Sequence, residues 1–315
     1  MKLTALKCHG SGNDFLLIDE YTDSLNYSDA ERAEMAVRLC DRSEGLGADG
    51  ILFFQDSKIA DGRMRVFNSD GSEASMCGNG LRCVARYACE KLGMKKLRIE
   101  TMKAVLEVEE MEPLSEGVET YKVEISPVSF RTADLPMKAP NETFINQTLA
   151  DCSDLPFTAI AVPNPHFIAI VDDADAKKDE QQKLAAYWNG ENPYFPDGVN
   201  VSFVEALRPQ EIFVRTFERG VGFTNACGTA MSASSLVACL QGLASFGEEL
   251  TVYNPGGKVK CAVHQQEDQY TIDLIGNATY EYKVEMEYQP DGYKVGSRVD
   301  FPEEIAAYQQ MVNRK

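Results

Sequence analysis

MCGNGLRCVARY (residues 76–87) and ACGTAMSASSLV (residues 226–237) each set a cysteine just before a glycine and a run of small or apolar residues. Each run reads as the opening turns of a helix, so Cys77 and Cys227 stand at helix N-termini. A thiol there faces unpaired backbone N–H groups and the positive end of the helix dipole. That setting lowers its pKa and offers a seat for a carboxylate. The two thiols are 150 residues apart, which implies two similar halves with one reactive group each. They suggest a pair of opposed cysteines working on one substrate.

Working outward, the surrounding chain repeats as well. Asn164, Pro165, His166 and FIAIVDD parallel Asn13, Asp14 and FLLIDE at an offset of 151, and Asp197-Gly198 with VNVSFVE parallels Asp49-Gly50 with ILFFQD at 148. Phe217 and Arg215 follow Phe67 and Arg65 by 150. Correspondences this consistent imply a duplicated α/β unit.

In the first half, residues 28–40 alternate apolar and charged positions as an amphipathic helix capped by Ser28 or Asp29. Strands are expected at 15–18, 50–54, 63–67, 97–101, 105–109 and 121–125, and a helix over 78–92 that stops at Gly93. Residues 131–155 are polar and proline-bearing and read as a connector with room for one short helix. In the second half the helix after Cys227 is free of charge through residue 240, which predicts burial on all sides. Strands at 250–253, 259–263 and 270–275 mirror the first half, and residues 302–315 read as a terminal helix with Pro302 in its first turn. The expected division is 1–130 for the half carrying Cys77, 131–155 for the connector, 156–287 for the half carrying Cys227, and 288–315 for a tail.

Composition bounds the function. The chain has 315 residues, 44% hydrophobic and 25% charged, as an ordinary globular protein does, and its length favours two domains. A net charge of −18 argues against nucleic acid or an anionic membrane as partner and leaves a homodimer open. The N-terminus reaches glycine and charge too early for a signal peptide, no apolar run is of membrane-spanning length, and a cytoplasmic address is expected. Nine scattered cysteines without a CxxC pair indicate reduced thiols rather than a disulfide framework or zinc site. Three dispersed histidines supply no metal site, so none is expected.

A solitary cysteine usually packs in a core, and that reading covers Cys8, Cys40, Cys83, Cys89, Cys152, Cys239 and Cys261. Cys77 and Cys227 differ because each holds the same loop-to-helix junction in its own repeat. A Cys227–His166 nucleophilic pair is conceivable but leaves Cys77 unexplained. GSGNDF precedes a strand, the wrong order for a dinucleotide site. Asn13, Asn68, Asn79, Asn164 and Asn200 lie in loops, where asparagine is common for backbone reasons. As a set aligned to the repeat they suit amino and carboxylate ligands. Glu218 and Arg219 could grip a zwitterion or pair with each other on the surface.

GSGNDF, GLGADG, FNSDGSEASMCGNGLRCVARY, NPH, PDGVN and FERGVGFTNACGTA together resemble diaminopimelate epimerases over nearly the whole length. The resemblance implies a PLP-independent isomerase with no cofactor, converting LL-diaminopimelate to the meso form for lysine and peptidoglycan precursors. It also implies two pseudo-symmetric α/β halves, antiparallel and mixed strands wrapped around a central helix in each, with the active site in the cleft between them. By the same resemblance Cys77 and Cys227 are the acid/base pair. Asn13, Asn68, Gly78, Asn79, Asn164, Asn200, Glu218, Arg219, Gly228 and Thr229 bind substrate, and His166 supports the site. Two thiols suit this chemistry, because inverting a carbon beside a carboxylate needs a base on one face and an acid on the other. Phe223 stands where relatives have an acidic residue, and Gly50 where some have glutamine. A racemase of another amino acid, or a non-catalytic or thiol-redox protein of this fold, are the alternative readings.

Overall fold

Each cysteine helix lies at the centre of strands supplied by its own part of the chain. The computed structural model describes residues 2–22, 27–289 and 292–313. It divides into two units, residues 1–123 with 275–315, and residues 124–274.

The first unit contains β1 (Lys2–Gly10), β2 (Asn13–Asp19), α1 (Asp29–Cys40), β3 (Gly50–Gln55), β4 (Gly62–Asn68) and β5 (Glu73–Ala74). It continues with α2 (Gly78–Leu92), β6 (Lys96–Glu100), β7 (Val105–Met111) and β8 (Thr120–Ile125). Helix α1 begins in a capping box: Ser28 Oγ accepts the Glu31 N–H, and Glu31 accepts the Ser28 N–H. Helix α2 ends as expected at Gly93, whose φ of 66° is the left-handed conformation that glycine adopts without a Cβ clash.

The second unit contains β9 (Gln147–Thr148), β10 (Pro156–Ala161), β11 (Pro165–Val171), α3 (Lys178–Trp188), β12 (Asn200–Arg208), β13 (Glu211–Glu218) and β14 (Gly222–Thr224). Then come α4 (Gly228–Leu240), β15 (Glu249–Asn254), β16 (Gly257–Gln266) and β17 (Gln269–Asn277). The chain then returns to the first unit as β18 (Thr279–Gln289), β19 (Gly292–Asp300) and α5 (Pro302–Asn313).

Strand pairing repeats between the units. β2 runs parallel to β3, β3 antiparallel to β4, and β4 antiparallel to β5 but parallel to β6. β11, β12, β13, β14 and β15 follow the same pattern in the same order. Even register is kept: Phe67 faces Glu73, and Phe217 faces Phe223. Helix α2 packs against β1, β2, β3, β4, β6 and β7, and α4 against β10, β11, β12, β13, β15 and β16. The α/β class and the wrapped central helices are therefore as the sequence implies.

Burial of α4 matches its lack of charge, since every residue from Gly228 to Cys239 is buried. Two of its hydroxyls bond one turn back, Ser232 Oγ to the Gly228 carbonyl and Ser235 Oγ to that of Met231, whereas Ser234 Oγ is buried without a hydrogen-bond partner among the described residues. Around β10–β12, Phe157 stacks on Phe167 at 4.4 Å while Trp188 meets both edge-on. Residues 131–155 send Leu135, Met137, Phe144 and Leu149 into that core. In the first unit β18 pairs antiparallel with β1 and adds Tyr282, Val284, Met286 and Tyr288 to the core over α1.

Candidate active site

Cys77 is the N-cap of α2, with extended backbone at φ −146° and ψ 110°. Caps are usually Ser, Thr, Asp or Asn, whose oxygen accepts an orphan N–H. Here the sulfur does so, with the Gly80 nitrogen 3.4 Å away. Asn13, the first residue of β2, points its Oδ1 at the thiol, 3.7 Å from Sγ, and takes a second bond from Asn79 Nδ2 at 3.2 Å. The amide is held in that orientation from the other side: Asn13 Nδ2 donates to Asp49 Oδ2 at 2.6 Å. Asp49 also accepts the Asp14 N–H and pairs with Arg42. Asp14 is embedded in the same network. Burial opposes its charge, but hydrogen bonds from Arg42 and Lys7 win and hold it down at about 2. Asn68 ends β4, exposed, with its amide on Ser72 Oγ at 2.9 Å.

Gly50 faces Asn68 across β3 and β4. A Cβ there would lie 2.5 Å from the Phe67 carbonyl oxygen, so this close backbone approach disfavours any side chain at position 50.

Cys227 caps α4 in nearly the same conformation, φ −124° and ψ 109°. The outcome for its thiol reverses the sequence expectation. Burial and then the Glu218 carboxylate push its pKa well above the ordinary thiol value, against the Thr229 hydroxyl and the Ala230 N–H, which pull down. Desolvation outweighs the helix terminus, and Cys227 rests as a protonated thiol. Thr229 Oγ1 is 3.6 Å from the sulfur and 3.1 Å from His166 Nε2, and Nε2 is also 3.0 Å from Asn164 Oδ1. An amide oxygen only accepts, which assigns the proton to Nε2. Burial and then the Arg219 cation depress His166 to about 3, so the ring is neutral. Its Nδ1 is buried with no hydrogen-bond partner among the described residues.

Asn200 opens β12 opposite His166 and accepts the Arg219 N–H at 2.9 Å. The Arg219 guanidinium donates to the Asp197 carbonyl, and Glu218 accepts from Thr224 Oγ1 at 2.5 Å. The first unit thus joins Cys77, Asn79 and Asn13 in one chain of bonds. The second joins Cys227, Thr229, His166 and Asn164, with Glu218 acting on the thiol. Gly78 and Gly228 are the buried first residues of the two helices.

Phe223 is explained by packing. Its ring meets Phe217 edge-on at 5.3 Å, and Lys178 Nζ lies 5.5 Å from its centre. In the first unit Glu73 instead binds Arg65 at 2.7 Å, while the corresponding Arg215 pairs with Asp175. The asymmetry is a choice of partner for a strand arginine.

Asp49 and Thr224 escaped the sequence reading as site residues. Asp49 had a signal, its place in GLGADG at the repeat position of Asp197. Among the described residues no group of three or more His, Cys, Asp or Glu is arranged to hold a metal ion. No helix among them is long and apolar enough to cross a membrane.

Comparison with known proteins shows the family. The diaminopimelate epimerase family model matches residues 5–126 and 158–281. A diaminopimelate epimerase of Listeria monocytogenes serovar 1/2a is 49% identical over 312 residues, covering 97% of this chain and 94% of the relative. One from Ligilactobacillus salivarius is 52% identical over 287 residues, covering 89% and 88%. Among solved structures, a Bacillus anthracis phenazine biosynthesis protein of the PhzF family superposes with a TM-score of 0.66. It is 19% identical and covers 91% of this chain and 100% of its own, a likeness of fold alone. With its two cysteine-capped helices and these matches, the chain belongs to the diaminopimelate epimerase family.

Proposed function

We propose that this isomerase converts LL-diaminopimelate to the meso form by direct proton transfer, with Cys77 and Cys227 as its acid and base and no cofactor. The observation that carries the reading is that each unit caps its central helix with a cysteine in the same extended conformation. A proton beside a carboxylate is weakly acidic, and the carbanion must be stabilised as it forms. Orphan N–H groups in the first turns of α2 and α4 supply that stabilisation to the substrate carboxylate.

The roles follow from the two environments. Cys227, protonated at rest, is the donor, and Cys77 removes the α-proton; the assignments exchange when the reaction reverses. At rest the Cys77 thiol donates to Asn13 Oδ1, and the Gly80 N–H that its sulfur accepts stabilises the charge once that proton has left. Glu218 raises Cys227 and so keeps the donor loaded. Asn13, Asn68, Asn79, Asn164, Asn200, Glu218 and Arg219 hold the amino and carboxylate groups. Neutral His166 orients Thr229 and offers a bare Nδ1 as acceptor. Nine free thiols suit a reducing compartment, and we place the enzyme in the cytoplasm, supplying lysine and peptidoglycan precursors.

Replacing either cysteine by serine tests the reading. General acid–base groups contribute roughly 10²–10⁴ in rate. Cys77→Ser and Cys227→Ser should each lower kcat by about that factor, while a substrate analogue still binds. Either variant turning over at more than about a tenth of the wild-type rate would sink the two-thiol assignment.

A further inference from the structure

The family model ends at residue 281, yet the chain beyond it folds against the Cys77 site. Helix α5 is fastened to α2 by Glu304, which binds Arg86 through both oxygens at 2.6 and 2.9 Å and accepts the Tyr280 N–H at 3.0 Å. One turn further on, the Tyr308 ring meets His9 at 4.4 Å, and its hydroxyl lies 3.8 Å from where a Cβ on Gly12 would stand.

His9 is the last residue but one of β1, and the turn after it leads into Asn13, the first residue of β2. Both turn residues have positive φ, 55° at Ser11 and 79° at Gly12, and Ser11 tolerates it only because neighbours hold it. Asn277 Oδ1 accepts the Ser11 N–H at 2.8 Å, Arg82 donates to Ser11 Oγ at 2.9 Å, and His9 Nδ1 accepts the Gly12 N–H at 3.2 Å. The next residue is Asn13, with its amide on Cys77.

We propose that Tyr308 is a positioning residue for the epimerisation: by covering His9 it fixes the turn of residues 10–13, and through it the Asn13 amide at Cys77. The inference rests on the reading of Cys77 as an acid/base group. Acceptance of the Gly12 N–H requires His9 to be neutral. Burial depresses it to about 4, with Arg82 of α2 and Lys7 of β1 adding to the effect. Asp14 of β2 and Glu304 of α5 act the other way. The Tyr308 phenol, raised to about 12 by burial, stays neutral. Removing the ring admits water, and the His9 pKa climbs toward the ordinary value of about 6.5. Below that pH the turn loses its acceptor.

The test uses the full chain. The three histidines, His9, His166 and His264, give resolvable imidazole resonances. In wild type His9 should not titrate above about pH 5, whereas in Tyr308→Ala it should titrate near pH 6. In that variant kcat/KM should fall about tenfold at pH 6 relative to wild type and about twofold or less at pH 8. Tyr308→Phe, which keeps the ring, should restore both the titration and the pH profile. Tyr308→Leu serves if the alanine variant does not fold. A wild-type pH profile in the alanine variant would overturn the inference, as would equal losses at both pH values tracking a lower Tm. Cys77→Ser, assayed alongside, separates the two claims. If it keeps wild-type turnover, the reading of Cys77 falls, whereas an inactive Cys77→Ser beside a normal Tyr308→Ala defeats the positioning role alone.

Discussion

Asp49→Ala isolates the orientation of one amide. Asp49 holds Asn13 Nδ2 at 2.6 Å, and this bond decides that Oδ1, not Nδ2, faces Cys77. Without it the amide is free to rotate, and the Cys77 thiol loses the acceptor that orients it. A hydrogen bond to a charged acceptor contributes about 1.5–3 kcal/mol. The Asp49 side chain is 44% exposed, so water recovers part of the loss and the lower end applies. About 1.5 kcal/mol in the barrier is roughly tenfold in kcat/KM. Stability should fall by about 1–2 kcal/mol, because the same bond is lost from the folded state and the Arg42 partner, 60% exposed, adds little. Asp14 remains to bind Arg42 and Lys7. The assay is kcat and KM for LL-diaminopimelate beside a thermal melt. Asp49→Asn, which keeps one acceptor oxygen without the charge, should fall between wild type and alanine. An alanine variant within about twofold of wild type would refute the reasoning, since tenfold is the loss expected from the bond.

Two further outcomes follow from the same geometry. His9 and His166 are held at about 4 and about 3, below the unfolded value, so the unfolded chain binds protons first. Their stabilisation is complete above about pH 6.5 and is lost as pH falls toward the folded values, on the order of 2 kcal/mol for each histidine by pH 5. Melting temperature should therefore drop between pH 7 and 5, less steeply in His166→Gln, and a flat profile would contradict it. Phe223→Glu should cost about 1 kcal/mol through the lost edge contact with Phe217 and change kcat/KM by less than about threefold. A loss or change of substrate preference beyond about tenfold would return Phe223 to the site.

The cysteine helices were legible because their signals are local: a small-residue run after each thiol, Gly93 as a stop, and an uncharged α4. The repeat was legible because duplicated spacing survives divergence, and it placed Cys77 and Cys227 correctly at two helix caps. Strand β18 was not identified, although its burial alternates along residues 282–289, because its partner β1 lies at the other end of the chain. Strand β19, helix α3 and the apolar anchors at 135, 137, 144 and 149 lacked a periodic signal of their own. The direction of the Cys227 shift was misjudged for a physical reason. Sequence displays the helix terminus but not the burial that overrides it. Asp49 was quoted within a loop, yet its grip on Asn13 exists only once β2 and β3 pair.

Proton bookkeeping in deuterated water tests the two-thiol mechanism most directly. A thiol carries one proton, so the α-proton taken by one sulfur is not the one returned by the other. At low conversion in D2O, meso-diaminopimelate formed from the LL isomer should carry deuterium at the inverted carbon while recovered substrate keeps its protium. Product that retains protium, or substrate that exchanges as fast as it inverts, would show one group working on one face and contradict the assignment of Cys77 and Cys227.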